Sequence, residues 1–457
     1  MSNPITLDIS PMERVFTEPC SVLVKDVPPG AQVTIEATLS DRSGQAWSSR
    51  GVFYADHKGI VDVARDASIA GTYHGVDAEG IFWSMLPATL DELISDGAGI
   101  KPADSDKRYT DFDDFRAGHT AESYDLRKDP VQITVSARLS GAHAATPQAT
   151  SVAHTVHMIR PGVERIAVSE GELQGAIYEA AGEGPHPIAV VVTGSGGGAN
   201  EMKACALASH GITAFALAHF NHPGRPASLL DMPIEYFSDA IDWFAERYGQ
   251  KKVALMGDSR GGEGVLVIAS HLKDRINALI PGVPSNMMFA GVNHETLEAG
   301  PAWMVEGKHL PYVNWSFSDF RPSEVLSGSM EARDIYRHDM TAHDIDDPRT
   351  IPVENIDCPI LLISGEVDAV WPSNMASERV LERLKAKGFE HSAEHIEYKG
   401  GGHLVNYPML VKSRAEYTEV NEFGFAMAIG GNPSDNAFAQ TDAFHKTVQF
   451  VKEHSSV

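Results

Sequence analysis

Four short runs in the second half of the chain are apolar at nearly every position: Ile188–Thr193 (IAVVVT), Ala214–Ala218 (AFALA), Val253–Met256 (VALM) and Ile360–Ser364 (ILLIS). A strand with one face in water alternates apolar and polar residues, so a strand without alternation must be covered on both faces. Helices are the usual cover. Helical patterns stand between the runs, at Glu201–His210, Pro233–Tyr248, Gly262–His271 and Ser373–Lys387. Strand-helix alternation of this kind predicts a mostly parallel, doubly wound sheet. Two further strands, Arg165–Ser169 and Gly175–Glu179, lead into it.

The first half has a different rhythm. Cys20–Lys25, Gln32–Leu39, Ile60–Val63 and Val131–Leu139 alternate with a period near two, separated by turns such as Pro28-Pro29-Gly30 and Asp41-Arg42-Ser43-Gly44. That pattern predicts an all-β, antiparallel sandwich of the immunoglobulin-like kind. A chain of 457 residues exceeds what one core ordinarily serves. The expected division is a sandwich domain over 1–165 and a catalytic domain over 166–457, the change falling after Pro161-Gly162. Within the second domain, residues 291–347 interrupt the sheet pattern and hold Trp303, Met304, Trp315, Phe317 and Phe320. They read either as a cap that forms an apolar pocket over the site or as a loop-rich insertion with ordinary core packing. The acidic, aromatic stretch Asp104–Phe115 reads as a solvated loop, since it lacks the oxygen-ligand spacing of a calcium-binding loop.

The formal net charge is −25, a surface that repels nucleic acid and anionic lipid, so neither is expected as a partner. Cys20, Cys205 and Cys358 are odd in number and far apart, which suggests neither a disulfide framework nor a metal knuckle. No cofactor and no metal are expected. MSNPITLDIS does not read as a secretory signal, and no apolar run approaches the roughly 20 residues of a membrane span. KEHSSV is not a peroxisomal address, and the expected compartment is the cytoplasm.

The chemistry is concentrated in a few turns. Gly257-Asp258-Ser259-Arg260-Gly261-Gly262 follows one buried strand and opens a helical pattern. A G-x-S-x-G in strand-turn-helix context presents a serine hydroxyl above the sheet edge, and small residues around it let strand and helix approach. Outside that context the motif is an ordinary tight turn. A nucleophilic serine requires a base. His403 stands in Gly400-Gly401-Gly402-His403, beyond the strand Ala393–Tyr398. An acid should follow the preceding strand, where Glu366 and Asp368 compete and Asp368 is preferred. The order Ser…Asp…His is that of an α/β-hydrolase. Two backbone amides are needed for an oxyanion. One is that of Arg260, and the other is expected from Ser195 or Gly196 in the run Gly194–Gly198. That run also resembles a phosphate loop but lacks the Gly-Lys-Ser/Thr ending.

These motifs in this order resemble the acyl-CoA thioesterase and bile acid-CoA:amino acid N-acyltransferase family. The likeness runs through Thr17-Glu18-Pro19, Gly71–Asp77, Gly80–Pro87, Gly194–Gly198, Ala216–Asn221, Ile234–Phe237, Gly261-Gly262-Glu263 and Ala437–Phe444. The resemblance implies an N-terminal β-sandwich, a C-terminal α/β-hydrolase domain, and a triad falling on Ser259, Asp368 and His403. It implies hydrolysis of an acyl-CoA to free fatty acid and coenzyme A through an acyl-enzyme on Ser259. The amino-acid-conjugating branch of the family uses cysteine, so a serine here favours hydrolysis over transfer. An acyltransferase with an amine acceptor, or a carboxylesterase for another activated acyl group, would use the same residues. A silent binding protein would not be expected to keep all three together with their glycine turns.

Overall fold

The computed structural model describes residues 4–40, 46–87, 130–140, 149–293, 295–296, 298–314, 332–410, 419–420, 426–455 and 457. Asp104–Phe115, Trp315, Phe317 and Phe320 lie outside the described residues. The chain separates into two compact units, Met1–Ile159 with Met409–Arg414, and Arg160–Pro408 with Ala415–Val457.

The first unit is all-β in its described residues apart from one helical turn, Gly80–Trp83. Thr6–Ser10, Ser21–Lys25 and Val61–Asp62 form a three-stranded antiparallel sheet. A seven-stranded sheet is centred on Gln32–Ser40, paired antiparallel with Ala46–Tyr54 on one side and Val131–Ser140 on the other. Thr6–Ser10 alternates exposed and buried in register with its sequence, TLDIS, which is the period-two signal made physical. One pairing departs from the antiparallel expectation: Glu13–Val15 joins Ala149–His157 in parallel at the sheet edge. Ala46–Tyr54 was not legible as a strand, because its serines and a glycine mask the alternation.

The second unit is an eight-stranded sheet. We label its strands β1 (Glu164–Glu170), β2 (Leu173–Glu179), β3 (Ile188–Val192), β4 (Thr213–Ala218), β5 (Val253–Asp258), β6 (Ile276–Gly282), β7 (Ile360–Gly365) and β8 (Ala393–Tyr398). The order is β1-β2-β4-β3-β5-β6-β7-β8, with β2 antiparallel to both its neighbours, β1 and β4, and the remaining pairings parallel. Every residue of β3, β4, β5 and β7 is buried, as the unbroken apolar runs require. The cover comes from α1 (Glu201–Ser209), α2 (Ile234–Arg247), α3 (Arg260–His271), α4 (Ser373–Ala386) and α5 (Pro433–His454). The chain steps outward from β3 to β4 and then returns past β3 to β5, so right-handed crossovers put α1 and α2 on opposite faces. This is the α/β-hydrolase arrangement. The reversal of order between β3 and β5 opens a crevice at the carboxyl ends of the strands, where open α/β sheets bind their ligands.

Within 291–347, Gly291–Val292 pairs with Ala299–Gly300, Trp303–Val305 pairs with Lys308–His309, and a helix covers Ala332–Ala342. Trp303 packs into the main core between α2 and α3, and Trp303–Val305 is tied to Met232–Pro233, so that tryptophan does not belong to an acyl pocket. Among the described residues no helix is long and apolar enough to cross a membrane.

Candidate active site

The serine turn is built by close approach. Ser259 joins β5 to α3 at φ 60°, ψ −124°, a left-handed conformation that costs a non-glycine residue free energy. The flanking glycines have ordinary φ, and what they supply is space. A Cβ on Gly257 would stand 2.6 Å from Gly261 O, and one on Gly261 would stand 2.6 Å from Thr193 O. Neither contact is possible for a real side chain, so the residue types follow from the packing of β3, β5 and α3. The Ser259 amide donates to Gly282 O at 3.0 Å, which pins the turn to the end of β6.

His403 follows β8 on a loop whose glycines are equally crowded. A Cβ on Gly402 would come within 2.1 Å of Gly430 O. The His403 amide donates to Ile429 O at 2.9 Å, so the loop is held from both sides. Its ring spans the two sequence candidates: Nε2 lies 2.9 Å from Ser259 Oγ and Nδ1 lies 2.8 Å from Asp368 Oδ2. Nδ1–H donating to the carboxylate leaves Nε2 as acceptor for the serine O–H. Asp368 is fully buried and saturated with donors. Ser373 Oγ donates to Oδ2 at 2.7 Å, and the amides of Val370 and Trp371 donate to Oδ1 at 3.0 and 3.3 Å. Glu366 points elsewhere. Its carboxylate accepts from Gly400 N at 3.0 Å and Lys399 Nζ at 3.0 Å, which hold its pKa below the usual range.

The Gly194–Gly198 loop lies against the elbow, a Cβ on Gly194 being 3.4 Å from Ser259 Cβ. Two of its amides are engaged, Gly197 N with Gly194 O at 3.1 Å and Gly198 N with Phe220 O at 2.9 Å. The amides of Ser195 and Gly196 make no such backbone bond among the described residues. Arg260 N belongs to the first residue of α3, where an amide has no partner within the helix.

Sequence reasoning missed two features. The Arg260 side chain is buried and pairs with Glu263, while its second nitrogen donates to Phe289 O at 3.0 Å. Glu263 also accepts from Trp303 Nε1 at 3.0 Å. Burial pushes its carboxyl up to about 7, against the pull of Arg260 and the other donors. The i, i+3 spacing of opposite charges in the first turn of α3 was the available signal. The other is an apolar cluster of Met287, Phe289, Val313, Tyr336, Met340, Trp371 and Ala376. Trp371 meets the His403 ring edge-on at 6.1 Å, so this cluster borders His403. Among the described residues no group of three or more metal-ligating side chains converges.

Comparison with known proteins bears on the whole chain. Residues 232–456 match the family model "BAAT / Acyl-CoA thioester hydrolase C terminal", and residues 17–103 match "Acyl-CoA thioester hydrolase/BAAT N-terminal region". Acyl-coenzyme A amino acid N-acyltransferase 1 of Mus musculus is 26% identical over 98% of this chain and 98% of its own. Acyl-coenzyme A thioesterase 1 of the same organism is 26% identical over 97% of this chain and 96% of its own. Among solved structures, an esterase/lipase from an uncultured bacterium aligns with a TM-score of 0.40 at 14% identity, over 65% of this chain and 86% of that one.

Proposed function

The chain belongs to the acyl-CoA thioester hydrolase/BAAT family, and from that premise we propose that it is a serine hydrolase of acyl-CoA thioesters with Ser259, His403 and Asp368 as its triad. One observation carries the proposal: a single imidazole, buried at the carboxyl ends of the parallel strands, bridges a strained serine at 2.9 Å and a buried carboxylate at 2.8 Å. Ser259 Oγ attacks the thioester carbonyl as its proton passes to His403 Nε2. Asp368 holds the Nδ1–H tautomer and stabilises the imidazolium. The amides of Arg260 and of Ser195 or Gly196 donate to the oxyanion and stabilise its charge. The C–S bond then breaks, and the thiolate leaves with the proton from His403 as coenzyme A. Water, deprotonated by His403, attacks the acyl ester and releases the free acid with Ser259 restored.

The cluster around Phe289, Tyr336, Met340 and Trp371 supports an apolar acyl pocket beside the base, partly contributed by the 291–347 insertion acting as a cap. For the first unit, its two β-sheets support an immunoglobulin-like sandwich ahead of the catalytic domain, with the division falling before Glu164–Glu170, the first strand of the second sheet, and not within it at 165/166. The serine nucleophile supports hydrolysis over amide formation, because an oxygen ester is less open to amines, relative to water, than the thioester a cysteine would form. The test is product analysis with one acyl-CoA and excess glycine or taurine. Free acid with little amide is expected, and mainly amide would overturn the hydrolase reading in favour of an acyltransferase.

A further inference from the structure

Directly behind the serine lies a buried charge that the acyl-transfer scheme does not use. Asp258 precedes Ser259 at the end of β5 and is 1% exposed. Its Oδ2 accepts from Lys203 Nζ at 2.6 Å, and its Oδ1 accepts from Asn406 Nδ2 at 2.6 Å. Lys203, itself 1% exposed, sits in the first turn of α1, the helix into which the Gly194–Gly198 loop runs. Asn406 stands three residues after His403. One carboxylate therefore joins the segments that carry the proposed nucleophile, oxyanion amide and base.

Stability alone is a poor reason for such an arrangement. Two apolar side chains would fill the same volume without the cost of stripping water from two ions. Short charge-assisted bonds offer what apolar packing does not, a fixed distance and direction. The contact is also deliberately accommodated on β6, where a Cβ on Gly282 would stand 2.0 Å from Asp258 Oδ1 and 2.6 Å from Asn406 Nδ2. On the other side, Asn406 Oδ1 has no partner among the described residues, so that amide is oriented through its bond to Asp258.

We infer that Asp258 is a positioning residue for acyl transfer, holding the His403 loop through Asn406 and the oxyanion loop through Lys203 in register with Ser259. The inference rests on the triad reading above. Its consequence is kinetic. The base and the oxyanion amides act within a few tenths of an ångström, and a displacement of about 1 Å costs on the order of 100-fold in rate. The loss is expected on kcat, because the three side chains hold the nucleophile, base and oxyanion segments and are not members of the apolar cluster.

The experiment compares the full-length wild type with Asn406→Leu, the double variant Lys203→Met/Asp258→Leu, and Ser259→Ala. Asn406→Leu removes the donor while keeping the ion pair, and the double variant removes both charges together so that neither is left unpaired. Steady-state turnover of decanoyl-CoA, the rate of labelling by a fluorophosphonate, and the thermal midpoint are measured for each. In both network variants kcat and the labelling rate are expected to fall together by roughly 10- to 100-fold, with KM within about twofold and the folded fraction unchanged. Ser259→Ala inactive with both network variants at wild-type kcat overturns the positioning role alone. Activity lost only in proportion to folded protein also overturns it, since that is what a structural role predicts. Wild-type turnover in Ser259→Ala overturns the triad reading and this inference with it.

Discussion

Each unit of the molecule contains a buried histidine and an arginine–glutamate pair, and the two arrangements come to opposite ends. In the first unit Arg14 donates to His154 Nε2 at 3.2 Å and to Glu79 at 2.8 Å, while His154 Nδ1 reaches Met12 O at 3.0 Å. Both ring nitrogens are occupied by groups that cannot react. Burial, and then the Arg14 charge, push the His154 pKa down to about 4. In the second unit His403 has one nitrogen on a buried carboxylate and the other on a hydroxyl held at φ 60°. The ingredients are alike. What differs is that the second cluster sits where strand order reverses, at an edge that sheet topology leaves open, and that its histidine ends on a serine hydroxyl, the proposed nucleophile. A buried polar cluster is thus a staple or a site according to what lies on the last nitrogen.

The sharpest way to break that contrast is Ser259→Ala. Loss of a triad nucleophile costs on the order of 10^4-fold or more in kcat/KM, while circular dichroism and the thermal midpoint should not move. Activity above a tenth of wild type would erase the distinction between the clusters. Next is the acid: Asp368→Asn should cost about 10^4-fold in kcat by stabilising the wrong tautomer, whereas Glu366→Gln should stay within about threefold, as its contacts are to Lys399 and Gly400. A crippled Glu366 variant would move the acid by two residues.

The two arginine–glutamate pairs sharpen the comparison further. Glu263→Gln leaves the Arg260 guanidinium buried without a counter-charge, and about 3 kcal/mol of unfolding free energy should be lost, together with a drop in kcat because the Arg260 amide is displaced. Arg14→Met removes a partner from Glu79, whose side chain is 23% exposed and so can be rehydrated. There the loss should be about 1 to 2 kcal/mol, with kcat per folded molecule unchanged. Denaturant titration alongside kinetics separates the two.

The smallest effect concerns pH. A histidine with a folded pKa of about 4 against an ordinary 6.5 stays neutral while the unfolded chain takes up its proton. Stability from this group is therefore complete above pH 6.5 and is lost as pH falls from 6.5 towards 4. His154→Gln should give a shallower decline of stability over that window, measured by denaturant midpoint. An unchanged slope would mean that His154 is not the buried neutral group its contacts describe.

Much of this was legible locally. The unbroken runs at β3, β4, β5 and β7 could be nothing but two-faced strands, and the glycines around Ser259 and His403 mark where backbones must pass within contact distance. Both are properties of a few consecutive residues. β6 was not read, because INALIPG carries a proline and a glycine and its burial comes from neighbours far along the chain. α5 was missed for a related reason: its polar residues are spread around the helix, and its buried set is defined by what packs on it.

By itself, then, the sequence determined the parallel sheet, the strained serine turn and the order in which Ser259, Asp368 and His403 occur, since periodicity, steric room and chain order are local or one-dimensional quantities. Only the tertiary structure decided that Asp368 and not Glu366 faces His403, that Trp303 belongs to the core, and that Asp258 meets Lys203 and Asn406. Those depend on which side chains, 35 residues apart for Asp368 and His403 and 148 apart for Asp258 and Asn406, are brought within hydrogen-bond reach by the crossing of β-strands. No spacing in the chain encodes a distance of that kind, because it is set by the packing of the whole sheet.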